Sequence, residues 1–326
     1  MKIAVTGASG HVGANLVPAL LEAGYDVRGL YRTPAHRRAL DGLDVELRCG
    51  DLLDTGFAEE ALRGVKAVIH LAGLISIDGD PGGRVMRTNV EGTRNVVEAC
   101  LANGVRRLVH FSSIDAVAYT ADAPVVDEGT PLVDDRAFAY RVSKRRGEEE
   151  AEKGAAAGLA VIVLRPSAIL GPKDYFVSAS GQMLRSLFAN TLPALVDAGF
   201  NWVDVRDVVA AALAALRSEH PGESYLITGH YATTPELSRL CRRVSGRPTP
   251  RLTLPLWMAY LGLPFLRLQS RLLRTPPLYT HETLRLLRTC NRNCSSTKAE
   301  RELGYTARPL EETIRDTYTW YREVAE

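Results

Sequence analysis

The sequence predicts an α/β fold, in which a doubly wound parallel sheet is followed by a smaller, mostly helical lobe. Short β-branched runs alternate with longer helical stretches through the first half of the 326 residues. This alternation is typical of βαβ units with right-handed crossovers. The composition agrees, since 46% of the residues are hydrophobic and the formal net charge is +2. These values indicate a globular protein with a substantial core, and they argue against a disordered chain or a protein that coats nucleic acid.

The elements of the first half follow from these runs. The predicted strands are residues 3–5, 27–31, 45–47, 67–71, 108–111 and 160–164. The predicted helices between them are residues 12–23, 34–40, 57–63, 84–103 and 140–157. Gly24 and Gly104 mark two of the helix ends, because glycine tolerates the left-handed backbone that often closes a helix. A further strand at 203–205 and a helix at 207–216 are expected to return to the main domain.

The pattern changes after Pro166, where irregular stretches containing Gly, Pro and Ser alternate with helical ones. We therefore predict a sheet domain of residues 1–170 plus about 203–230, and a lobe of residues 171–202 plus 231–326. Residues 231–326 carry 16 Lys or Arg against nine Asp or Glu. This charge suits an anionic substrate or peripheral contact with a membrane surface, and equally a solvated arginine-rich face around an apolar pocket. The longest uncharged run, 252–266, is too short to span a bilayer, so no transmembrane segment is expected.

The cysteines and the N-terminus indicate the compartment. Five scattered cysteines do not form a disulfide framework, which fits a reducing environment. Cys290 and Cys294 are four residues apart, but no second pair of ligands follows at metal-binding spacing, so no metal site is predicted. The N-terminus enters a strand without an apolar signal segment. We expect a cytoplasmic protein.

A glycine-rich loop, Gly7-Ala8-Ser9-Gly10-His11-Val12-Gly13, lies between the first strand and the first helix. The first glycine permits a tight turn, the second lets the backbone approach a pyrophosphate, and the third allows close packing of helix and strand. The backbone N–H groups at the start of the helix would then face phosphate. The loop predicts a Rossmann-type dinucleotide-binding domain.

The residue after the second strand bears on which dinucleotide binds. An NAD-selective site usually places Asp or Glu there to hold the ribose, whereas this chain has Arg32, with Arg37 and Arg38 close behind. A guanidinium suits a 2′-phosphate in bidentate fashion. Arg32 therefore favours NADP (NADPH) over NAD, the alternative being a solvent-facing arginine that tolerates either cofactor.

Tyr140 and Lys144 are four residues apart, which places a phenol and an ammonium on one face of a helix. Reduction of a carbonyl by hydride leaves an alkoxide that must be protonated, and a neighbouring cation lowers the pKa of a phenol for this work. The pair is common by chance, but its position downstream of the glycine loop predicts a catalytic role. A hydroxyl at the end of the fifth strand would complete the site, and Ser112 and Ser113 are candidates whose other reading is turn chemistry.

The Gly-x-x-Gly-x-x-Gly spacing and the Tyr-x-x-x-Lys pair resemble the extended branch of the short-chain dehydrogenase/reductase superfamily, the NAD-dependent epimerase/dehydratase family. The resemblance implies Ser113, with Ser112 as fallback, and Asn89 beside Tyr140 and Lys144; Asn89 is equally readable as a packing residue. It also continues through segments 201–208 and 297–305, so it covers most of the chain. The residues expected to contact the cofactor are Gly7, Ser9, Gly10, His11, Val12, Gly13, Arg32, Asp51, Leu52, Leu71, Ala72, Gly73, Tyr140, Lys144, Pro166, Ser167 and Ile169. The family more often has alanine where Gly73 stands.

Three functions are compatible with this resemblance. The first is an NADP(H)-dependent oxidoreductase that interconverts a ketone or aldehyde and an alcohol. The second is an NAD-dependent nucleotide-sugar epimerase, which Arg32 disfavours, and the third is a non-catalytic dinucleotide sensor, which retention of Tyr140 disfavours. Dehydration is not expected, because Ile114-Asp115 lacks the glutamate that dehydratases place there.

The substrate is the least specified part of the site. The stretch around Ser113 resembles dihydroflavonol reductases and 3β-hydroxysteroid dehydrogenases. Residues 252–261 are apolar and suit a flat hydrophobic small molecule such as a steroid or flavonoid, although a core helix or a dimer contact would look the same. The resemblance also implies a homodimer.

Overall fold

The computed structural model describes residues 1–77, 79–273 and 280–325, and it describes side chains for residues 1–77, 79–264 and 280–324. The last two residues of the uncharged run 252–266 therefore have side chains that lie outside the described ones. The main sheet has seven parallel strands in the order β10-β6-β5-β4-β1-β2-β3. Its strands are β1 (Lys2–Thr6), β2 (Asp26–Tyr31), β3 (Glu46–Cys49), β4 (Ala67–His70), β5 (Arg107–Phe111), β6 (Ala160–Pro166) and β10 (Ser224–Ile227). The predicted doubly wound parallel sheet is confirmed.

Helices cover both faces of this sheet. They are α1 (His11–Glu22), α2 (Thr55–Ala61), α3 (Arg84–Met86), α4 (Gly92–Ala102), α5 (Ala139–Ala156) and α7 (Val205–Arg217), with a 3-10 helix at Pro34–Leu40. On one face, α1 and α7 bury residues such as Leu16 and Val208 against the strands. On the other, α2, α4 and α5 bury residues such as Ala58, Val96 and Ala151. The helix between β4 and β5 is continuous from α3 to α4, but its middle turn, Arg87–Glu91, is π-helical.

One sequence expectation about the main domain is wrong. The strand expected at 203–205 is β9 (Gly199–Asp204), and it pairs with β7 (Ala168–Leu170) and β11 (His230–Thr233) in a separate three-stranded sheet. The seventh strand of the main sheet is β10, which pairs with β6 and which the sequence pattern did not reveal. The helix after β9 does return, since α7 packs on α1.

Helix boundaries also moved where a side chain caps the backbone. The helix predicted at 57–63 is α2, which starts at Thr55 because the Asp54 carboxylate accepts a hydrogen bond from the Phe57 N–H at 3.1 Å. A carboxylate in this position satisfies one of the N–H groups that a helix leaves unpaired at its start. The periodicity of apolar residues does not report such caps.

The C-terminal lobe is mostly helical, as predicted. Its elements are α6 (Ala179–Phe188), α8 (Thr234–Ser245), α9 (Leu256–Leu273), α10 (His281–Thr289), α12 (Leu310–Ala325) and the short pair β8 (Leu195–Val196) and β12 (Thr253–Leu254). Helix α11 (Thr297–Leu303), which the sequence placed in the lobe, instead packs on β10 and α7, and its Ala299 enters the core of the main domain. The core of the lobe centres on Trp202, Leu184 and Ile314. Within the described residues, no helix is long and apolar enough to cross a membrane. The same part of the chain holds no cluster of three or more His, Cys, Asp or Glu side chains placed to bind a metal ion.

Candidate active site

The glycine loop forms a cradle that is closed to larger residues. Gly7 has φ of +66°, and a Cβ there would lie 2.9 Å from the backbone nitrogen of Ala72. A Cβ on Gly13 would lie 2.3 Å from the carbonyl oxygen of Ala8. Helix α1 starts at His11 with no side-chain cap and no acidic residue in its first turn. Its first N–H groups therefore stay available to an anion, and these features fit a dinucleotide pyrophosphate.

Three more of the predicted cofactor residues follow β2 and β3. Arg32 is exposed just beyond β2, and its guanidinium has no carboxylate within 4 Å in the described part of the chain. Asp51 is exposed beyond β3, and its carboxylate accepts a hydrogen bond from the Leu53 N–H at 3.0 Å. Leu52 is half-buried and packs against the helices of one sheet face. All three positions lie beyond the carboxyl ends of parallel strands, which is where α/β folds bind ligands.

The loop after β4 carries Gly73, where the family more often has alanine. A Cβ on Gly73 would lie 3.3 Å from both the Oδ1 of Asn89 and the Nζ of Lys144. These distances are tighter than ordinary van der Waals contact, so alanine would press on both side chains. Glycine at this position therefore leaves room for the side chains of Asn89 and Lys144.

Asn89 lies in the π-helical turn and is 3% exposed. Its Nδ2 donates to the Leu74 carbonyl at 3.0 Å and to the Ser143 hydroxyl at 2.8 Å, while its Oδ1 accepts from the Leu74 N–H at 2.7 Å. The Ser143 hydroxyl donates in turn to the carbonyl of Tyr140 at 2.7 Å. Asn89 thus ties the loop after β4 to α5, and π turns often occur where a fold positions functional groups.

Lys144 is 8% exposed, and its Nζ donates a hydrogen bond to the carbonyl oxygen of Phe111 at 2.9 Å. Burial lowers its pKa to about 8, against a smaller opposing effect of the Glu148 carboxylate. Glu148 itself is buried in a bidentate pair with Arg165 on β6, with an Nη2–Oε2 distance of 2.6 Å. Helix α5 is therefore fixed to β5 by Lys144 and to β6 by Glu148.

Tyr140 and Ser113 lie together at the end of β5. Burial raises the pKa of the Tyr140 phenol well above its usual value, the Asp115 charge adds to this, and the nearby Ser113 hydroxyl has a smaller, opposing effect. In the chain without ligand the phenol is therefore protonated at neutral pH. The Ser113 Oγ also accepts from the Asp115 N–H at 3.1 Å, so the expected turn chemistry is present as well.

Several buried polar groups around this site lack partners among the described residues. They include the Oγ of Ser112, the Oγ of Ser167 and both ring nitrogens of His110. Buried hydroxyls are normally hydrogen-bonded, so an orphaned one indicates a missing ligand or water. Ser167 follows Pro166 at the end of β6 and precedes half-buried Ile169, and its free hydroxyl fits the predicted role as a cofactor contact.

Sequence reasoning missed a buried chain of hydrogen bonds beneath the cofactor loop. The Thr6 hydroxyl lies 2.7 Å from Nδ1 of His70 and accepts from the Ala72 N–H at 3.1 Å. Nε2 of His70 lies 3.0 Å from the Thr93 hydroxyl, which donates to the Asn89 carbonyl at 2.7 Å. These partners require a neutral His70 protonated on Nε2. Burial, helped by the Lys144 charge, lowers the pKa of His70 to about 3.

The segment after β7 was also missed as a contact to the glycine loop. The carbonyl oxygen of Pro172 lies 3.1 Å from Nε2 of His11 and accepts from Nδ2 of Asn15 at 3.0 Å. Burial lowers the pKa of His11. The helix that would hold the pyrophosphate is thereby joined to the C-terminal lobe.

Comparison with known proteins identifies the family of this chain. Residues 3–228 match the family described as the NAD dependent epimerase/dehydratase family. The chain belongs to this family. The match includes the glycine loop, Asn89, Ser113, Tyr140 and Lys144.

Three relatives cover nearly the whole chain. Sterol demethylase protein B of Methylococcus capsulatus is 35% identical over 326 residues, which is 99% of either chain. A Synechocystis protein provisionally named dihydroflavonol 4-reductase is 30% identical over 98% of this chain and 94% of its own. The solved structure of gox2253 has a TM-score of 0.85 and 32% identity, covering 99% of this chain and 98% of that one. The family and its reductase-named members make the protein an NAD(P)-dependent oxidoreductase of the extended short-chain dehydrogenase/reductase kind.

Proposed function

We propose that the protein is an NADP(H)-dependent oxidoreductase that interconverts a ketone or aldehyde and an alcohol on a small hydrophobic substrate. The observation that carries this proposal is the hydrogen bond from the Nζ of Lys144 to the Phe111 carbonyl at 2.9 Å. It fixes the helix that carries Tyr140, one turn before Lys144, at the end of the strand that leads to Ser113. A phenol and a hydroxyl that share one substrate oxygen can supply a proton and orient the carbonyl.

In the proposed reaction, the side chains of Ser113, Tyr140 and Lys144 have separate roles. The nicotinamide cofactor, when bound, supplies or accepts the hydride. The Ser113 hydroxyl orients the substrate oxygen, and Tyr140 gives up its phenolic proton to the oxygen as the carbonyl is reduced. Tyr140 is protonated in the ligand-free chain, which is the state that reduction requires. Lys144 brings a positive charge that favours phenolate during the transfer and holds the ribose beside it.

The preference for NADP rests on Arg32, an exposed guanidinium with no carboxylate partner in the described structure. A 2′-phosphate would give it a bidentate, charge-assisted partner. Loss of this arginine should therefore weaken the binding of NADPH more than the binding of NADH.

The substrate class rests on the apolar lobe and on the relatives. The names of sterol demethylase protein B and of the Synechocystis dihydroflavonol 4-reductase relative both refer to polycyclic, largely apolar molecules. We extend this class to the present chain, as a cytoplasmic homodimer acting on a steroid-like, flavonoid-like or aldehyde substrate. A peripheral membrane contact through the C-terminal lobe belongs to the same proposal.

A substrate panel tests the proposal directly. The purified protein is assayed with 3-ketosteroids, dihydroflavonols, aliphatic and aromatic aldehydes and UDP-sugars, each with NADPH and NADH. Turnover of a hydrophobic carbonyl with NADPH is the expected result. Tightly retained NAD(H) with UDP-sugar interconversion would replace the proposal by an epimerase. Dinucleotide binding without turnover on any substrate, and with Tyr140→Phe indistinguishable from wild type, would replace it by a sensor.

A further inference from the structure

Helix α9 presents large apolar side chains to solvent. Trp257 is 63% exposed, Leu261 67% and Met258 38%, and Leu252, just before β12, is 61% exposed. We call these four residues the α9 patch. The other two tryptophans, Trp202 and Trp320, are 2% and 8% exposed. Trp257, Met258 and Leu261 are neighbours within two turns of one helix, and exposed apolar surface of this kind usually marks an interaction site.

The patch lies opposite the face by which α9 is held. Leu256, Ala259, Tyr260 and Leu263 pack against the lobe core beside Leu284 and Leu287. At about 100° per residue, these four positions share one arc, and Trp257, Met258 and Leu261 share an arc roughly on the other side of the helix. The lobe core therefore packs without the side chains of the α9 patch.

The sequence segment that carries the patch is strongly basic. Between Glu236 and Glu282 the chain has eight arginines and no aspartate, glutamate or lysine. Arg247 and Arg251 are exposed and immediately precede the patch. Neither guanidinium has a carboxylate within 4 Å in the described residues. An aromatic and aliphatic face in a segment whose exposed arginines Arg247 and Arg251 are unpaired matches the surface of anionic lipid, in which acyl chains lie below a layer of negative charge.

We propose that the α9 patch docks the protein on an anionic membrane surface, with Trp257 and Leu261 inserted among the lipids and Arg247 and Arg251 on their phosphates. The docking is peripheral, and it deepens the proposed function by placing the lobe where an apolar substrate accumulates. Vesicle binding is measured without substrate or cofactor, so its failure is separate from a failure of the proposed reaction.

The test is co-sedimentation of the full chain with vesicles of phosphatidylglycerol and phosphatidylcholine in about equal parts, compared with phosphatidylcholine alone. We expect binding to the anionic vesicles that weakens as salt is raised. The emission of Trp257, isolated by subtracting the spectrum of Trp257→Phe, should shift to the blue on binding. Leu261→Asp should lower the partition coefficient by roughly tenfold or more. Arg247→Gln with Arg251→Gln should lower it by about tenfold on anionic vesicles alone.

Matched changes outside the patch serve as controls. Val125→Asp alters another exposed apolar residue, 41% exposed, and Arg217→Gln with Arg322→Gln removes two exposed arginines. Both should bind vesicles like wild type, and all variants should keep the wild-type melting temperature. No binding to anionic vesicles, or binding unchanged by Leu261→Asp, overturns the inference. So does a self-association in which Trp257 emission is already blue-shifted without lipid, because a second copy would then cover the patch.

Discussion

The Nζ of Lys144 lies 2.9 Å from the carbonyl oxygen of Phe111, the last residue of β5. The contact joins the strand that ends at Ser112 and Ser113 to the helix that carries Tyr140. It buries an ammonium whose pKa falls to about 8 because of that burial. The candidate site is therefore organised around a charge that folding has to desolvate, and a bound cofactor with its oxygens and phosphates would compensate for it.

Lys144→Met should stabilise the ligand-free protein by about 1 kcal/mol at about pH 7 while abolishing activity. The folded pKa of Lys144 lies below the usual 10.5, so the unfolded chain holds more protons between these values. Wild-type stability therefore rises with pH across the window from about 8 to about 10.5, and the advantage of methionine should shrink there. Urea unfolding of both proteins across this range measures it. An equal or lower stability of the variant at about pH 7 would show that burial of Lys144 is not costly.

Tyr140→Phe should reduce kcat by about a hundredfold to ten-thousandfold, because it removes the proton donor. Its Kd for NADPH should change less than about threefold, since the loop, Arg32 and Lys144 remain. Tyr231→Phe removes a hydroxyl from a half-buried tyrosine outside the site and should leave kcat unchanged. Steady-state kinetics and fluorescence titration separate the two effects, and a Tyr140→Phe enzyme with wild-type kcat would remove Tyr140 from the chemistry.

Arg32→Gln should weaken NADPH binding by roughly tenfold to a hundredfold, the value of one charge-assisted bidentate contact. The Kd for NADH should stay within about twofold, because NADH lacks the 2′-phosphate. Arg48→Gln, an exposed arginine on β3 that pairs with Glu46, is the matched control. If Arg32→Gln weakened both cofactors equally, the arginine would be a general phosphate contact and not a selector.

Two stacked histidines should make the fold sensitive to acid. The rings of His70 and His110 lie 5.5 Å apart, and burial lowers the pKa of both. The unfolded chain binds these protons below about pH 6.5, so stability falls as pH falls from there toward about 3. His110→Leu should reduce the slope by about one proton, or about 1.4 kcal/mol per pH unit. An unaltered slope in His110→Leu would contradict the assignment.

Glu148→Gln should destabilise the protein by about 3 kcal/mol, because it leaves the Arg165 guanidinium buried without a counter-charge. The double variant Glu148→Leu with Arg165→Met should recover most of this loss, since a buried ion pair is commonly replaceable by apolar residues. Glu149→Gln is the neighbouring control on α5, where the carboxylate is 43% exposed. Unfolding free energies of the four proteins provide the comparison, and a mild effect of Glu148→Gln alone would show that Arg165 finds another partner.

The strength of each sequence prediction depended on how local its cause was. Alternating runs predicted β1 through β6, because the period of apolar residues records which side of an element is buried. The strand at 203–205 was expected to return to the main domain but belongs to a separate three-stranded sheet, and β10 was missed. Which strands pair depends on contacts between residues distant in sequence. A strand of four residues such as Ser224–Ile227 is too short for its pattern to predict which strand it pairs with.

The sequence by itself determined the parallel sheet, the dinucleotide loop and the residue types of a reductase, because spacing along one strand–turn–helix unit fixes their local geometry. Tertiary structure alone decided what surrounds them. It placed Gly73 beside Asn89 and Lys144, revealed the Thr6–His70–Thr93 chain, and placed Leu256 inward and Trp257 outward on one helix. Each of these features depends on contacts between groups that are distant in sequence. Burial, which sets the pKa of an ionisable group, arises only once the chain has packed.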